Sequence, residues 1–318
     1  MLSKDQVKAA LPRIPNMLEI LSHSFFIGGH FVGPQFTFKK YSEFASPDYQ
    51  KKLPGSPLAY GFKRLSIGVM YMAIHLVGSM YVPVSWPGSD DFNESSFLKK
   101  ILILPFWVKI ILSKYLAAWL TAEGVCIVSG LSFNGISESG KIDWKGCANV
   151  KLGRLESSSR FGHLIEGFNV NTNAWAAAYI YKRLKFMNNR LISQFSTLFF
   201  LAMWHGFHTG YYVTFFNEFI TMNFEKEFLS LLERSERIER LMVHPAGETM
   251  CRLFGWLWVF LLMPHCFIPF SLLSYNKYLP VYRDTYFLLY AVYLSWPLWR
   301  PAMKSFLKLK PKQDKKDK

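Results

Sequence analysis

Leu198-Phe199-Phe200-Leu201-Ala202-Met203-Trp204-His205-Gly206 sets one histidine inside an apolar run. Upstream stands a cluster of amides, Asn169-Val170-Asn171-Thr172-Asn173, followed directly by Ala174-Trp175. An ionisable or amide group is expensive in hydrocarbon, so one placed there points to function. Whether the surroundings are hydrocarbon therefore decides how both features are read.

Composition answers for a membrane. The chain has 318 residues, is 51% hydrophobic and 17% aromatic, and its apolar residues fall in blocks with few acidic residues inside them. A helix needs about 20 mostly apolar residues to cross a bilayer. A soluble core helix would carry a polar stripe, which several of these blocks lack. The expected fold class is all-α, a polytopic membrane helix bundle. Much of the formal charge of +15 sits at the ends of the apolar blocks and in the last fifteen residues. That is the pattern of positive-inside bias rather than of a nucleic-acid surface. Cys126, Cys147, Cys251 and Cys266 show no CxxC spacing, and buried free thiols are expected over disulfides or a metal site.

Working outward, Leu191 to Phe219 reads as the histidine-bearing span, and Ala174 to Phe186 as a short helix ending in Lys182-Arg183-Leu184-Lys185. Residues 129–166 read as loop. Ile101 to Val128 is long enough to span, with Lys114 and Glu123 expected to face protein or an interface rather than lipid. Leu65 to Val84 is a further span, preceded by Lys63-Arg64. Tyr41 to Ser56 reads as a loop, and residues 17–36 as a re-entrant or interfacial piece. The N-terminus, with Lys4, Asp5, Lys8 and Arg13, has no apolar core and is not a signal peptide.

Downstream, Phe224 to Leu241 has apolar residues at helical spacing opposite Glu and Arg, an amphipathic helix expected to lie in the membrane interface with a solvated charged face. Thr249 to Leu273 is a span with Pro264 and Pro269 as kinks. Tyr286 to Trp299 is a short last span, and residues 304–318 form a disordered basic tail on the cytosolic side. Counting passes from a cytosolic Lys63 leaves that tail in the lumen. One segment, around Asn169 or His205, is thus expected to be re-entrant.

A neutral imidazole can take a proton from a hydroxyl as it attacks a carbonyl. Burial favours the neutral form of histidine near pH 7. An asparagine amide can donate to a developing oxyanion or orient the nucleophile. No Ser, Cys or Asp stands in a nucleophile pattern, so direct transfer is favoured over a covalent enzyme intermediate. On chemistry alone a lone histidine on an apolar face is more often a core residue. His208 near His205 lacks an acidic companion for a metal site. His23, His30, His75, His163, His244 and His265 show no partner in the sequence.

The strings Asn169-Val170-Asn171-Thr172-Asn173-Ala174-Trp175, Tyr179-Ile180-Tyr181-Lys182-Arg183-Leu184-Lys185-Phe186 and Trp204-His205-Gly206 resemble the membrane-bound O-acyltransferase family. Glu123-Gly124-Val125-Cys126, Phe133-Asn134-Gly135 and Val32-Gly33-Pro34-Gln35-Phe36 are similar to its lysophosphatidylcholine acyltransferase branch. The resemblance implies a partial domain of this family over residues 1–303, with His205 and Asn169 as the catalytic pair. It implies transfer of a polyunsaturated acyl group from acyl-CoA to the sn-2 hydroxyl of a lysophospholipid. Acyl-CoA is then a co-substrate, with no cofactor and no metal. Lys182, Arg183 and Lys185 could meet the CoA phosphates, against ordinary positive-inside charge as the plainer reading.

The partners implied are acyl-CoA, a lysophospholipid and the lipid bilayer, without nucleic acid, and a homodimer stays open. Lys315-Lys316 sits where a dilysine retrieval signal would, so the expected location is the endoplasmic reticulum membrane, crossed several times. Family members carry further helices before the region where this chain begins, which raises a truncated, inactive membrane protein as the competing reading. A protein or sterol acceptor is the competing enzymatic one.

Overall fold

The fold is seen in a computed structural model, which describes residues 7, 9–33, 35–49, 51 and 53–310. Lys4, Asp5, Lys8 and Pro34 lie outside the described residues, as does the tail with Lys315 and Lys316. Among the described residues the regular elements are helices, and β pairing is limited to isolated bridges. The helices begin with α1 (Met17–Ser24), α2 (Phe38–Phe44), α3 (Leu58–Tyr81), α4 (Asp90–Glu94) and α5 (Phe97–Val128). Next come α6 (Leu152–Glu156), α7 (Phe161–Gly167), α8 (Val170–Ala176), α9 (Arg190–His205) and α10 (Thr209–Leu232). The last are α11 (Glu236–Val243), α12 (Pro245–Leu272), α13 (Tyr275–Asp284), α14 (Leu288–Tyr293) and α15 (Trp296–Leu307).

Two of these, α5 and α12, are long and apolar enough to cross a membrane, each with a mean hydropathy of 1.7. They match the expected spans Ile101 to Val128 and Thr249 to Leu273. The helix expected over Leu65 to Val84 instead starts behind Pro57 and stops before Pro83, because a proline cannot continue a helix interior.

The chain divides into two compact units. The first draws on the chain up to Tyr81, on Ile110–Leu152 and on Gly167–Ala174. Its helices α3 and α5 approach through small residues. A Cβ on Gly68 would stand 2.7 Å from Thr121 Oγ1, and one on Gly124 would stand 2.5 Å from Leu65 Cγ. Small residues let two helix backbones come this close. The stretch read as a loop from Tyr41 contains the end of α2, which Thr37 caps by accepting the Lys40 N–H. His23, His30 and His75 find partners after all, in the carbonyls of Phe36, Ser24 and Ile110.

The second unit comprises Val82–Lys109, Gly153–Glu166 and the chain from Trp175 on. Its core surrounds Phe224, whose ring centroid lies 4.7 Å from that of Tyr293 and 5.2 Å from that of Trp296. This corrects the expected amphipathic helix from Phe224 to Leu241. Phe224 and Leu231 are buried at the end of α10, and Ser235 starts a separate α11 by accepting the Ile238 N–H. Nor is the charged face simply solvated. Glu225 accepts the Phe161 and Gly162 N–H groups at the start of α7, and Glu227 accepts from Trp296 Nε1 at 3.0 Å. Periodicity located the apolar face but could not tell lipid from protein as its neighbour.

The expected short span from Tyr286 to Trp299 is also corrected. Tyr286 and Phe287 adopt left-handed φ angles of 52° and 51°, which separates α13 from α14, and α15 begins again at Trp296. That last helix carries Lys304 to Leu307, so the start of the region read as a disordered tail is ordered. Lys310 N–H donates to the Arg234 carbonyl.

In α12, Pro269 has no N–H for the carbonyl of His265. Tyr282 Oη donates to that carbonyl at 2.7 Å, and Asn217 Nδ2 reaches it at 3.4 Å. The His265 imidazole itself is fully buried, and among the described residues neither ring nitrogen has a hydrogen-bond partner.

Candidate active site

Asn169 and His205 belong to different units, and each is built by its own surroundings. Asn169 precedes α8 and has a φ of 50°. Asparagine tolerates this left-handed region better than most residues because its short side chain can bond locally. Its carbonyl accepts the Asn173 N–H at 3.1 Å, so the amide cluster forms the first turn of a helix rather than lying in a loop. The expected helix from Ala174 to Phe186 accordingly begins earlier, at Val170, and changes pitch. Ala177–Tyr181 is a π-helical turn and Arg183–Met187 a 3₁₀ turn.

Asn149 grips the Asn169 turn. Its carbonyl accepts the Val170 N–H at 2.9 Å, its Oδ1 accepts the Asn171 N–H at 2.9 Å, and its Nδ2 donates to Asn169 Oδ1 at 3.2 Å. Behind it lies Glu123, only 2% exposed. Glu123 Oε1 accepts the N–H groups of Asn149 at 2.7 Å and Val150 at 2.8 Å. Its Oε2 faces Arg64 Nε at 2.6 Å and Nη2 at 2.5 Å, and Arg64 also donates to the Val150 carbonyl. A buried carboxylate is tolerable only when its charge and lone pairs are met in this way. Glu123 thus faces protein, as the sequence suggested. Its companions Arg64 and Asn149 were missed as site residues. Arg64 read as a membrane-flanking charge, and nothing in the sequence around Asn149 marks it.

His205 is the last residue of α9 and is half-buried. Gly206 follows at a φ of 129°, a conformation that side chains rarely adopt, and turns the chain toward α10. The single span expected from Leu191 to Phe219 is therefore two helices joined at the histidine. The ring centroid of His205 lies 5.0–5.5 Å from those of Trp204, Tyr211, Phe215 and Phe270. Its Nδ1 is 2.7 Å from the Leu201 carbonyl oxygen. A carbonyl can only accept, so Nδ1 carries the proton and the neutral ring keeps its lone pair on Nε2. That nitrogen is the basic one. His208 lies edge-on to Tyr211 and is the residue directly before α10.

Close packing fixes this geometry. A Cβ on Gly210 would stand 2.1 Å from the Pro269 carbonyl oxygen and 2.8 Å from Leu273 Cα. Only glycine lets α10 approach α12 there, and α10 carries Tyr211 and Phe215 to the histidine. Lys182, Arg183 and Lys185 are exposed on the turn after the π-helical segment, in the same unit as His205.

The profile of the membrane-bound O-acyltransferase family matches residues 1–273, and the chain belongs to that family. It is therefore a membrane-bound helical protein. Among its relatives, "Lysophospholipid acyltransferase 5" of Mus musculus is 37% identical over 297 residues, covering 92% of this chain and 61% of the relative. The protein of the same name in Drosophila melanogaster is 45% identical over 226 residues, covering 71% of this chain and 45% of the relative. That of Caenorhabditis elegans is 30% identical over 316 residues. The chain thus spans 61% of the mouse relative's length and 45% of the fruit-fly relative's.

Proposed function

We propose that the protein is an acyl-CoA-dependent lysophospholipid O-acyltransferase of the endoplasmic reticulum membrane. The observation that carries this reading is the placement of His205, a half-buried imidazole whose Nδ1 lies 2.7 Å from the Leu201 carbonyl oxygen, which leaves Nε2 as the base. The names of the relatives support the lysophospholipid acceptor.

In this reading Nε2 of His205 takes the proton of the acceptor's sn-2 hydroxyl as its oxygen attacks the thioester carbonyl. The C–O bond forms, and the negative charge that collects on the carbonyl oxygen is met by the Asn169 amide. The C–S bond then breaks, and the imidazolium returns its proton to the CoA thiolate. Acyl chains stay in hydrocarbon, and only the reacting atoms need polar surroundings. Lysophosphatidylcholine is the proposed main acceptor and a polyunsaturated acyl-CoA the proposed donor, with Lys182, Arg183 and Lys185 meeting its phosphates.

The test is transfer of labelled acyl groups to a panel of lysophospholipids by protein in membranes. It uses this chain and a chimera carrying the mouse relative's N-terminal region ahead of it, each with and without His205→Ala. Labelled phospholipid formed by the wild type and abolished by His205→Ala is expected. No transfer by either wild-type protein would defeat the assignment, and transfer surviving His205→Ala would defeat the mechanism.

A further inference from the structure

We propose that Asn149 is a positioning residue, which holds Asn169 by its side-chain oxygen so that the Asn169 amide N–H groups are the part presented to the reacting carbonyl. The inference rests on the proposed role of Asn169 and specifies how that residue works. A carboxamide can serve chemistry through its oxygen, as an acceptor that orients a hydroxyl, or through its nitrogen, as a donor to an oxyanion. Here the oxygen is already engaged, since Asn149 Nδ2 donates to it at 3.2 Å. That bond takes one of the oxygen's two lone pairs and turns the oxygen toward Asn149, which leaves the N–H groups as the better placed half of the amide for a substrate.

The grip is built for placement rather than for burial alone. Asn169 sits in a left-handed conformation that a β-carbon disfavours, and such conformations persist where their surroundings over-determine them. Asn149 supplies three of the restraints, bonding to residues 169, 170 and 171 in succession. Asn149 is itself 2% exposed and anchored through its own N–H to Glu123, whose charge Arg64 balances. A line of bonds thus runs from an ion pair through Asn149 to the amide of Asn169. Its effect is to pre-set the direction of one donor, and a small misplacement of such a donor is felt in the chemical step more than in binding.

The experiment compares Asn149→Asp, Asn149→Ser and Asn169→Ala with the wild type, in whichever of this chain and the chimera is active. Rates are taken per mole of monodisperse protein returned to vesicles. Asn149→Asp keeps an oxygen for the Asn171 N–H and removes the donor to Asn169. Asn149→Ser serves where Asn149→Asp gives no monodisperse protein. The expected result is a kcat lowered about tenfold or more with both KM values within about twofold. A kcat lowered by less than about fivefold, or a loss confined to KM or to folded yield, would overturn the inference. Asn169→Ala separates the two failures. If it retains wild-type kcat, the catalytic reading of Asn169 falls. If it is inactive while Asn149→Asp turns over normally, only the positioning role falls.

Discussion

At the scale of single residues, the chemistry depends on which atom of each side chain is already spoken for. His205 bonds a carbonyl through Nδ1, which leaves one basic nitrogen in a wall of aromatic rings. Replacing it with alanine should lower kcat by about a hundredfold to ten-thousandfold, the usual worth of a placed general base. The check is a transfer assay with the amount of protein measured separately. The basic turn makes a different prediction. Lys182→Gln with Lys185→Gln should raise the KM for acyl-CoA by about threefold to tenfold and leave the KM for the lysophospholipid unchanged. An unchanged acyl-CoA KM would return these lysines to the role of membrane-flanking charge. His205 and Asn169 could be singled out in the sequence because polar groups stand out in apolar company. Asn149 could not, since its partners lie at residues 123 and 169–171, and the bonds exist only once the chain has folded.

At the scale of elements, glycine decides how near two helices come. Gly210→Ala would drive a methyl group into the Pro269 carbonyl, where backbone on both sides leaves nothing flexible to yield. We expect a loss of about 1–3 kcal/mol or more, seen as a lower melting temperature in detergent, with kcat falling as Tyr211 and Phe215 shift. Gly153→Ala is the control, since among the described residues nothing beyond its own chain neighbours and helix backbone lies within 4 Å of the position its β-carbon would take. The apolar blocks made most helices legible, while their breaks were not. The run from Leu191 to Phe219 is apolar on both sides of Gly206, and a glycine within such a run is as compatible with continuation as with reversal. Only the φ of 129° separates the two. The break at Tyr286 and Phe287 was hidden for the same reason, because aromatic residues carry no turn signal.

At the scale of the whole molecule, hydropathy and charge agree. Helices α5 and α12 carry the span-length apolar stretches, and much of the net charge of +15 sits at the ends of the apolar blocks and in the last fifteen residues. The protein should remain in the membrane pellet after alkaline carbonate and move to the supernatant only with detergent. Release by carbonate alone would contradict the reading of α5 and α12 as spans. Composition gave the membrane class directly, because the cost of exposing 20-residue apolar stretches to water depends on residue type and little on the fold. It could not show that Phe224 and Leu231 are covered by protein rather than lipid, since both environments accept the same side chains.

The imidazole of His265 has a practical consequence. A buried polar ring whose nitrogens bond to none of the described residues costs about 1–3 kcal/mol relative to an apolar group of similar size. His265→Leu removes that cost and leaves the backbone carbonyl, already held by Tyr282, undisturbed. A melting temperature raised by about 2–4 °C is expected in detergent. For a protein that must survive extraction from lipid before crystals or grids can be prepared, this one position is the place to begin making it more durable.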